Sequence, residues 1–262
     1  MSWNETTHTL RCEYCDYTAA PANHNFINLN EPVVSSDGKG HVSQMCENCG
    51  YTSGDGEAHE YNETGACTVC KFLPILEGET GNLYEDLKTA LDADETELTL
   101  VSYATGESAN IVKANLDFDT DKDITLNMGG CTLAGEGNSV LTVSNGTLTV
   151  KGDATISNTG TTTDLAAPAI EVTGGKVTFE GKVTATGGTY TYGNRIEQKP
   201  AVYATGGSLT FNGDLDLLGG LKVEGDATLT SLKKGTFRIS DNVQNTNRLS
   251  VEGSKNYKYV DA

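Results

Sequence analysis

Residues 169–181, AIEVTGGKVTFEG, return 32 positions later as residues 201–213, AVYATGGSLTFNG. That recurrence constrains the fold more than any other feature of the chain. Pro168 and Pro200 precede the two copies, and an earlier copy runs from Val140-Leu141-Thr142-Val143 to Leu148-Thr149-Val150-Lys151-Gly152, about 29 residues before. Within each copy the apolar residues alternate (Ile170, Val172; Val177, Phe179; Val183, Ala185), the pattern of strands with one face inward. Glycines fall where the chain turns. Three short strands repeated at this period make one coil of a β-solenoid, in which neighbouring coils pair and their inward side chains form a continuous core. A sandwich or barrel does not require the same glycine corners to recur. The 30 glycines and the low aromatic content of 7% also suit a repetitive all-β fold.

A solenoid needs its open end covered, and the sequence predicts one helix in the right place. Asn82 is its N-cap, Glu85 stands at the capping-box position, and Leu83, Leu87, Ala90 and Leu91 share a face. A strand-like stretch, Leu98-Thr99-Leu100-Val101, follows.

Ahead of this helix the composition changes. All four histidines and six of the seven cysteines lie within residues 8–70. The break falls near Lys71-Phe72-Leu73-Pro74, dividing the chain into a Cys/His region, 1–72, and a solenoid, 73–262. The first region also repeats: His8-x3-Cys12-x2-Cys15-x8-His24 is followed by His41-x4-Cys46-x2-Cys49-x9-His59, then by Cys67-x2-Cys70. Its intervening residues are polar and turn-rich, too poor in apolar side chains to build a core, so something else must staple it. A Cys-x2-Cys turn presents two thiolates, and histidines at fixed distances complete a tetrahedral zinc shell. Disulfides are the competing explanation, but they do not account for histidines recurring in step with the cysteines. Ten candidate ligands suggest two closed sites. The first grouping is His8, Cys12, Cys15 and His24. The second takes Cys46 and Cys49, completed either by His41 and His59 or by Cys67 and Cys70 as in a zinc ribbon. Closed shells make the expected zinc structural, with its binding energy contributing to folding.

The formal net charge of −18 repels phosphate backbones, which argues against nucleic acid as a partner. No apolar run is long enough for a membrane span. Met1-Ser2-Trp3-Asn4-Glu5 lacks the basic start and apolar stretch of a secretory leader, so the chain reads as a piece of a longer protein.

Asp123-Ile124-Thr125-Leu126-Asn127-Met128-Gly129-Gly130-Cys131-Thr132-Leu133-Ala134-Gly135, with Gly146-Thr147-Leu148-Thr149-Val150-Lys151-Gly152, resembles Gram-positive surface proteins that carry a pectate-lyase-like right-handed parallel β-helix. The Cys/His units resemble repeats in surface proteins of gut and oral Firmicutes. The resemblance implies three-stranded right-handed coils, an N-terminal capping helix and a secreted or cell-surface location, with a host or cell-wall glycan or protein as partner. Cys131 departs from that family, which often has histidine there, and reads as a buried free thiol.

Many β-helix proteins cleave acidic polysaccharides. Hydrolases of this shape use clustered carboxylates and often a nearby histidine. Lyases use calcium on acidic side chains and a basic residue, for which the solenoid region offers only Arg195, Arg238 and Arg248 among arginines. Residues 73–262 contain no histidine, and their acids are scattered among turns. The expectation is therefore a non-enzymatic structural or interaction module, an adhesin or spacer segment, with a carbohydrate-binding module as the alternative and a polysaccharide lyase or hydrolase ranked after it. Asp117-x-Asp119-x-Asp121-x-Asp123 lacks the glycine and terminal glutamate of a calcium loop and reads as an acidic solvated turn. The segment from Thr189 to Lys199 interrupts the coil repeat and is expected to project as a loop. Tyr190 and Tyr192 are its candidates for stacking on a sugar or peptide, and Arg195 for gripping an acidic group.

Overall fold

A computed structural model describes residues 2–3, 7–9, 20–52, 56–232, 235–238 and 249–251. In the Cys/His region the strands are β1 (Ser2–Trp3), β2 (Thr7–Thr9), β3 (Ala22–Asn23), β4 (Phe26–Val34), β5 (Gly40–Cys46) and β6 (Glu57–Ala58). They form two small antiparallel sheets, β1-β2-β3 and β4-β5-β6. Next come β7 (Leu76–Gly78), β8 (Leu83–Tyr84), helix α1 (Leu87–Asp92) and β9 (Glu97–Leu100).

From there the chain winds. Its coils comprise β10 (Ile111–Lys113), β11 (Leu116–Phe118) and β12 (Asp123–Asn127); then β13 (Thr132–Gly135), β14 (Leu141–Val143) and β15 (Thr147–Lys151); then β16 (Ala154–Asn158), β17 (Ile170–Val172) and β18 (Lys176–Phe179). The next coil opens with β19 (Val183–Thr186), is interrupted by a hairpin of β20 (Thr189–Tyr192) and β21 (Arg195–Gln198), and resumes with β22 (Val202–Ala204) and β23 (Ser208–Phe211). Strands β24 (Leu215–Leu218), β25 (Leu221–Val223), β26 (Thr228–Leu232), β27 (Gly235–Arg238) and β28 (Leu249–Val251) continue the winding. Each coil contributes one strand to each of three sheets, and coil-to-coil pairing is parallel throughout.

The sequence repeat is the stacking register. Ile170 pairs with Val202 and Val177 with Leu209, both at the 32-residue offset, while Leu141 pairs with Ile170 and Leu148 with Val177 at the 29-residue offset. Inward side chains therefore meet their equivalents in the next coil, as Phe179 stacks on Phe211 at 5.3 Å between ring centroids and 14° between planes. Gly146, Gly175 and Gly207 sit at one corner with φ of 67°, 67° and 70°. A side chain at any of them would meet backbone atoms of the coil before, so both the left-handed conformation and the close approach require glycine.

The helix lies later than the sequence suggests. Leu83 and Tyr84 form a strand paired with Leu76 and Glu77, and α1 begins after Asp86, whose carboxylate accepts from the Thr89 amide at 2.7 Å. Asn82 and Glu85 do not cap the helix. The Asn82 carbonyl accepts from Gly78 and the Glu85 carboxylate from the Leu73 amide. The cap is therefore the antiparallel hairpin β7–β8, laid against β9, together with the helix, which buries Leu87 and Ala90 on the core. This covers a backbone edge that would otherwise invite pairing with another chain.

One buried carboxylate ties the cap together. Glu95 is 4% exposed and accepts from the Glu79 amide (3.0 Å), the Thr80 hydroxyl (2.9 Å) and the Tyr84 hydroxyl (2.8 Å). Removing it strands three donors. Glu95→Ala is expected to lower unfolding free energy by about 2–3 kcal/mol, read from chemical denaturation of the solenoid. A loss below about 0.5 kcal/mol, the range of neutral surface changes, would show that the cap does not depend on this residue.

Candidate metal centre

Two Cys-x2-Cys turns have the same backbone. The Cys46 amide donates to the Tyr51 carbonyl (2.8 Å) and the Gly50 amide to the Cys46 carbonyl (2.9 Å). Likewise Cys67 donates to Phe72 (2.8 Å) and Lys71 to Cys67 (3.1 Å). The residue after each second cysteine is left-handed, Gly50 at φ 74° and Lys71 at φ 67°. Each turn leaves a strand-like pair opposite an aromatic residue, Phe26 with Cys46 and Tyr61 with Cys67.

Histidines close on these turns. The ligand atoms of His41, His59, Cys67 and Cys70 lie within 4.8 Å of one another, as do those of His24, Cys46 and Cys49. In the four-residue group His59 Nδ1 is 3.6 Å from Cys70 Sγ, and its Nε2 is 3.1 Å from the Gly38 carbonyl. A carbonyl only accepts, so Nε2 carries the proton and Nδ1 turns a lone pair to the sulfurs. His41 is 6% exposed; its Nε2 faces Glu57 at 3.5 Å, and its buried Nδ1 has no hydrogen-bond partner. An unpartnered buried nitrogen is costly unless a cation takes its lone pair. In the other group His24 Nδ1 is 3.3 Å from Cys49 Sγ. Tetrahedral zinc, with bonds of about 2.3 Å to sulfur and about 2.0 Å to nitrogen, sets nitrogen–sulfur edges near 3.6 Å. The 3.6 Å edge between His59 and Cys70 matches this, and the 3.3 Å edge between His24 and Cys49 is slightly shorter. Aromatic rings brace the imidazoles, Tyr51 stacking on His24 at 4.6 Å and Phe72 on His59 at 5.1 Å.

The thiols are unequal within each turn. Burial raises the Cys46 thiol, but hydrogen bonds from His24 and from the Asn48, Cys49 and Asn25 amides outweigh it and hold the pKa at about 6. Cys67 is set at about 6 the same way, burial being outweighed by the Cys70 amide, His59 and the Val69 amide. Cys49 and Cys70 are pushed up by burial and by the neighbouring sulfur. A second thiolate is unfavourable beside the first unless a cation sits between them.

The grouping differs from the one the spacing suggests. Among the described residues His24 joins Cys46 and Cys49, and His41 and His59 join Cys67 and Cys70 rather than Cys46 and Cys49. The four-cysteine zinc-ribbon grouping does not form either. The reason is strand geometry: His41 and Cys46 are five residues apart on β5, about 17 Å along an extended chain, so they cannot share one ion. Cys12, Cys15 and the His8 side chain lie outside the described residues. The aromatic residues two positions after Cys49, Cys70, His24 and His59 (Tyr51, Phe72, Phe26, Tyr61) are the sequence signal that would have revealed this pairing.

Away from these groups, the Thr189–Lys199 segment is an antiparallel hairpin rather than an irregular loop, turned at Gly193-Asn194 with Gly193 at φ 61°. Tyr192 is 71% exposed and pairs across the strands with Arg195, while the Tyr190 ring lies 5.1 Å from the Lys199 ammonium. Asp117, Asp119, Asp121 and Asp123 are exposed. Cys131 is a buried free thiol, its pKa raised by burial. No protein-family model, curated protein or solved structure matches the chain.

Lys71 holds a left-handed backbone that glycine adopts without strain. Lys71→Gly is expected to stabilise the Cys/His region by about 1 kcal/mol, measured by thermal unfolding. An unchanged or lower midpoint would show that this turn stores no strain.

Proposed function

We propose that the chain is a non-catalytic spacer or adhesin segment of a secreted or cell-surface protein, in which zinc staples a core-poor repeat region to a rigid β-solenoid. The observation that carries this reading is the group His41, His59, Cys67 and Cys70. With an ion bound, these four protein donors would fill a tetrahedral shell and leave no open position for substrate or activated water. Two sulfurs with two imidazoles favour zinc over harder cations. The resemblance to Gram-positive surface proteins with pectate-lyase-like β-helices supplies the location and the expectation of a host or cell-wall glycan or protein partner.

Metal analysis of purified protein is expected to find about two zinc ions per chain, as two donor groups imply. Chelation should unfold the Cys/His region at lower temperature while the solenoid keeps its β-sheet signal. Turnover of pectate or another uronic polysaccharide, or a chelated protein as stable as the untreated one, would overturn the proposal.

A second reading, glycan binding, is favoured by the exposed Tyr192 at the hairpin tip with Arg195 opposite. It predicts a specific signal on glycan arrays that Tyr192→Ala abolishes. Binding that survives this change would place recognition elsewhere.

A further inference from the structure

The two donor groups share a backbone plan, and the plan names a residue that the smaller group lacks. Across β5–β6, His41 pairs with Glu57, and His59 stands two residues beyond Glu57. Across β2–β3, His8 pairs with Ala22, and His24 stands two residues beyond Ala22. The correspondence continues: Phe26 and Tyr61, each two residues past the second histidine, lie opposite Cys46 and Cys67. The knuckle hydrogen bonds and the stacked aromatic ring then repeat in both groups. By backbone register, the position held by His41 in the complete group is held by His8 in the other. That group otherwise offers three donors, His24, Cys46 and Cys49, one short of a tetrahedral shell.

We propose that His8 is the fourth ligand of the first metal site, and that the sites are staggered along the repeats. Each ion then takes two histidines from one repeat and the Cys-x2-Cys pair from the next. Cys12 and Cys15 stand just after His8 in sequence as Cys46 and Cys49 stand just after His41. Since His41 and Cys46 serve different groups, the same rule leaves Cys12 and Cys15 outside the first shell. This assignment rests on the reading that both groups hold zinc.

The test uses the 262-residue chain loaded with zinc and titrated with a colorimetric chelator. His8→Ala is expected to release one of two ions at a chelator concentration at least about tenfold below that needed for wild type, while the release of the other ion shifts by a smaller factor. The double change Cys12→Ser and Cys15→Ser is expected to retain both. If His8→Ala fails to fold in its first repeat, His8→Cys decides: after cobalt substitution it should intensify sulfur-to-cobalt charge transfer at one of the two sites. A double serine variant that loses an ion, a His8→Ala variant that keeps both at wild-type affinity, or an unaltered cobalt spectrum in His8→Cys would each overturn the assignment. A wild-type chain that takes up no zinc overturns it together with the zinc reading. A wild-type chain with two ions but the wrong variant pattern overturns the assignment alone.

Discussion

The structure depends on parallel coils stacking in register, with a shift where β26 meets β23 at Leu209 and Thr210. Backbone hydrogen bonds along three sheets fix the level of each strand, and equivalent inward residues then meet whatever the coil length between them. Coil-to-coil offsets vary, 24 residues between Asp123 and Thr147 but 32 between Lys176 and Ser208, yet the partners remain aligned. The variation is absorbed outside the core. Asn158, 4% exposed, anchors the excursion before β17 by donating to the Asn138 carbonyl and accepting from the Gly160 and Ala167 amides. Hairpin β20–β21 leaves and rejoins a coil with Gln198 donating to the Gly187 and Leu218 carbonyls. The ladder tolerates decoration because the strand pairing, rather than the connections, sets the register.

A stack held this way is vulnerable at its first edge, and the Cys/His region meets the chain there. The turn at Ser36–Gly38 does two jobs at once. Its Gly38 carbonyl faces His59, and its Asp37 carbonyl accepts from the Leu83 amide of the capping hairpin at 3.1 Å. Gly38, at φ 73°, packs so closely on Leu83 that a side chain would collide with that backbone. The donor group and the solenoid cap are thus joined through one turn by two hydrogen bonds.

Much of this was legible in the sequence, for an identifiable reason. A parallel ladder places like residues on like residues, so the copies at 140, 169 and 201 carried both the strands and their register. The helix start was less legible. Asn82 and Asp86 are both plausible caps, and only the pairing of Leu83 and Tyr84 with β7 decides between them. The ligands were identifiable by type, but their grouping was not, because the histidine and cysteine spacings suggest a sequence-local site. The decisive fact was tertiary: an extended β5 keeps neighbours in sequence far apart in space.

That same strand has a consequence for the order of assembly. Cys46 at one end of β5 belongs to one donor group, and His41 near the other end belongs to its neighbour. Whatever fixes the strand for the first group also removes conformational freedom that the second must otherwise lose. If both groups hold an ion, their occupancies are linked through a shared rigid rod. The front of the molecule should mature as one cooperative unit instead of as two independent beads.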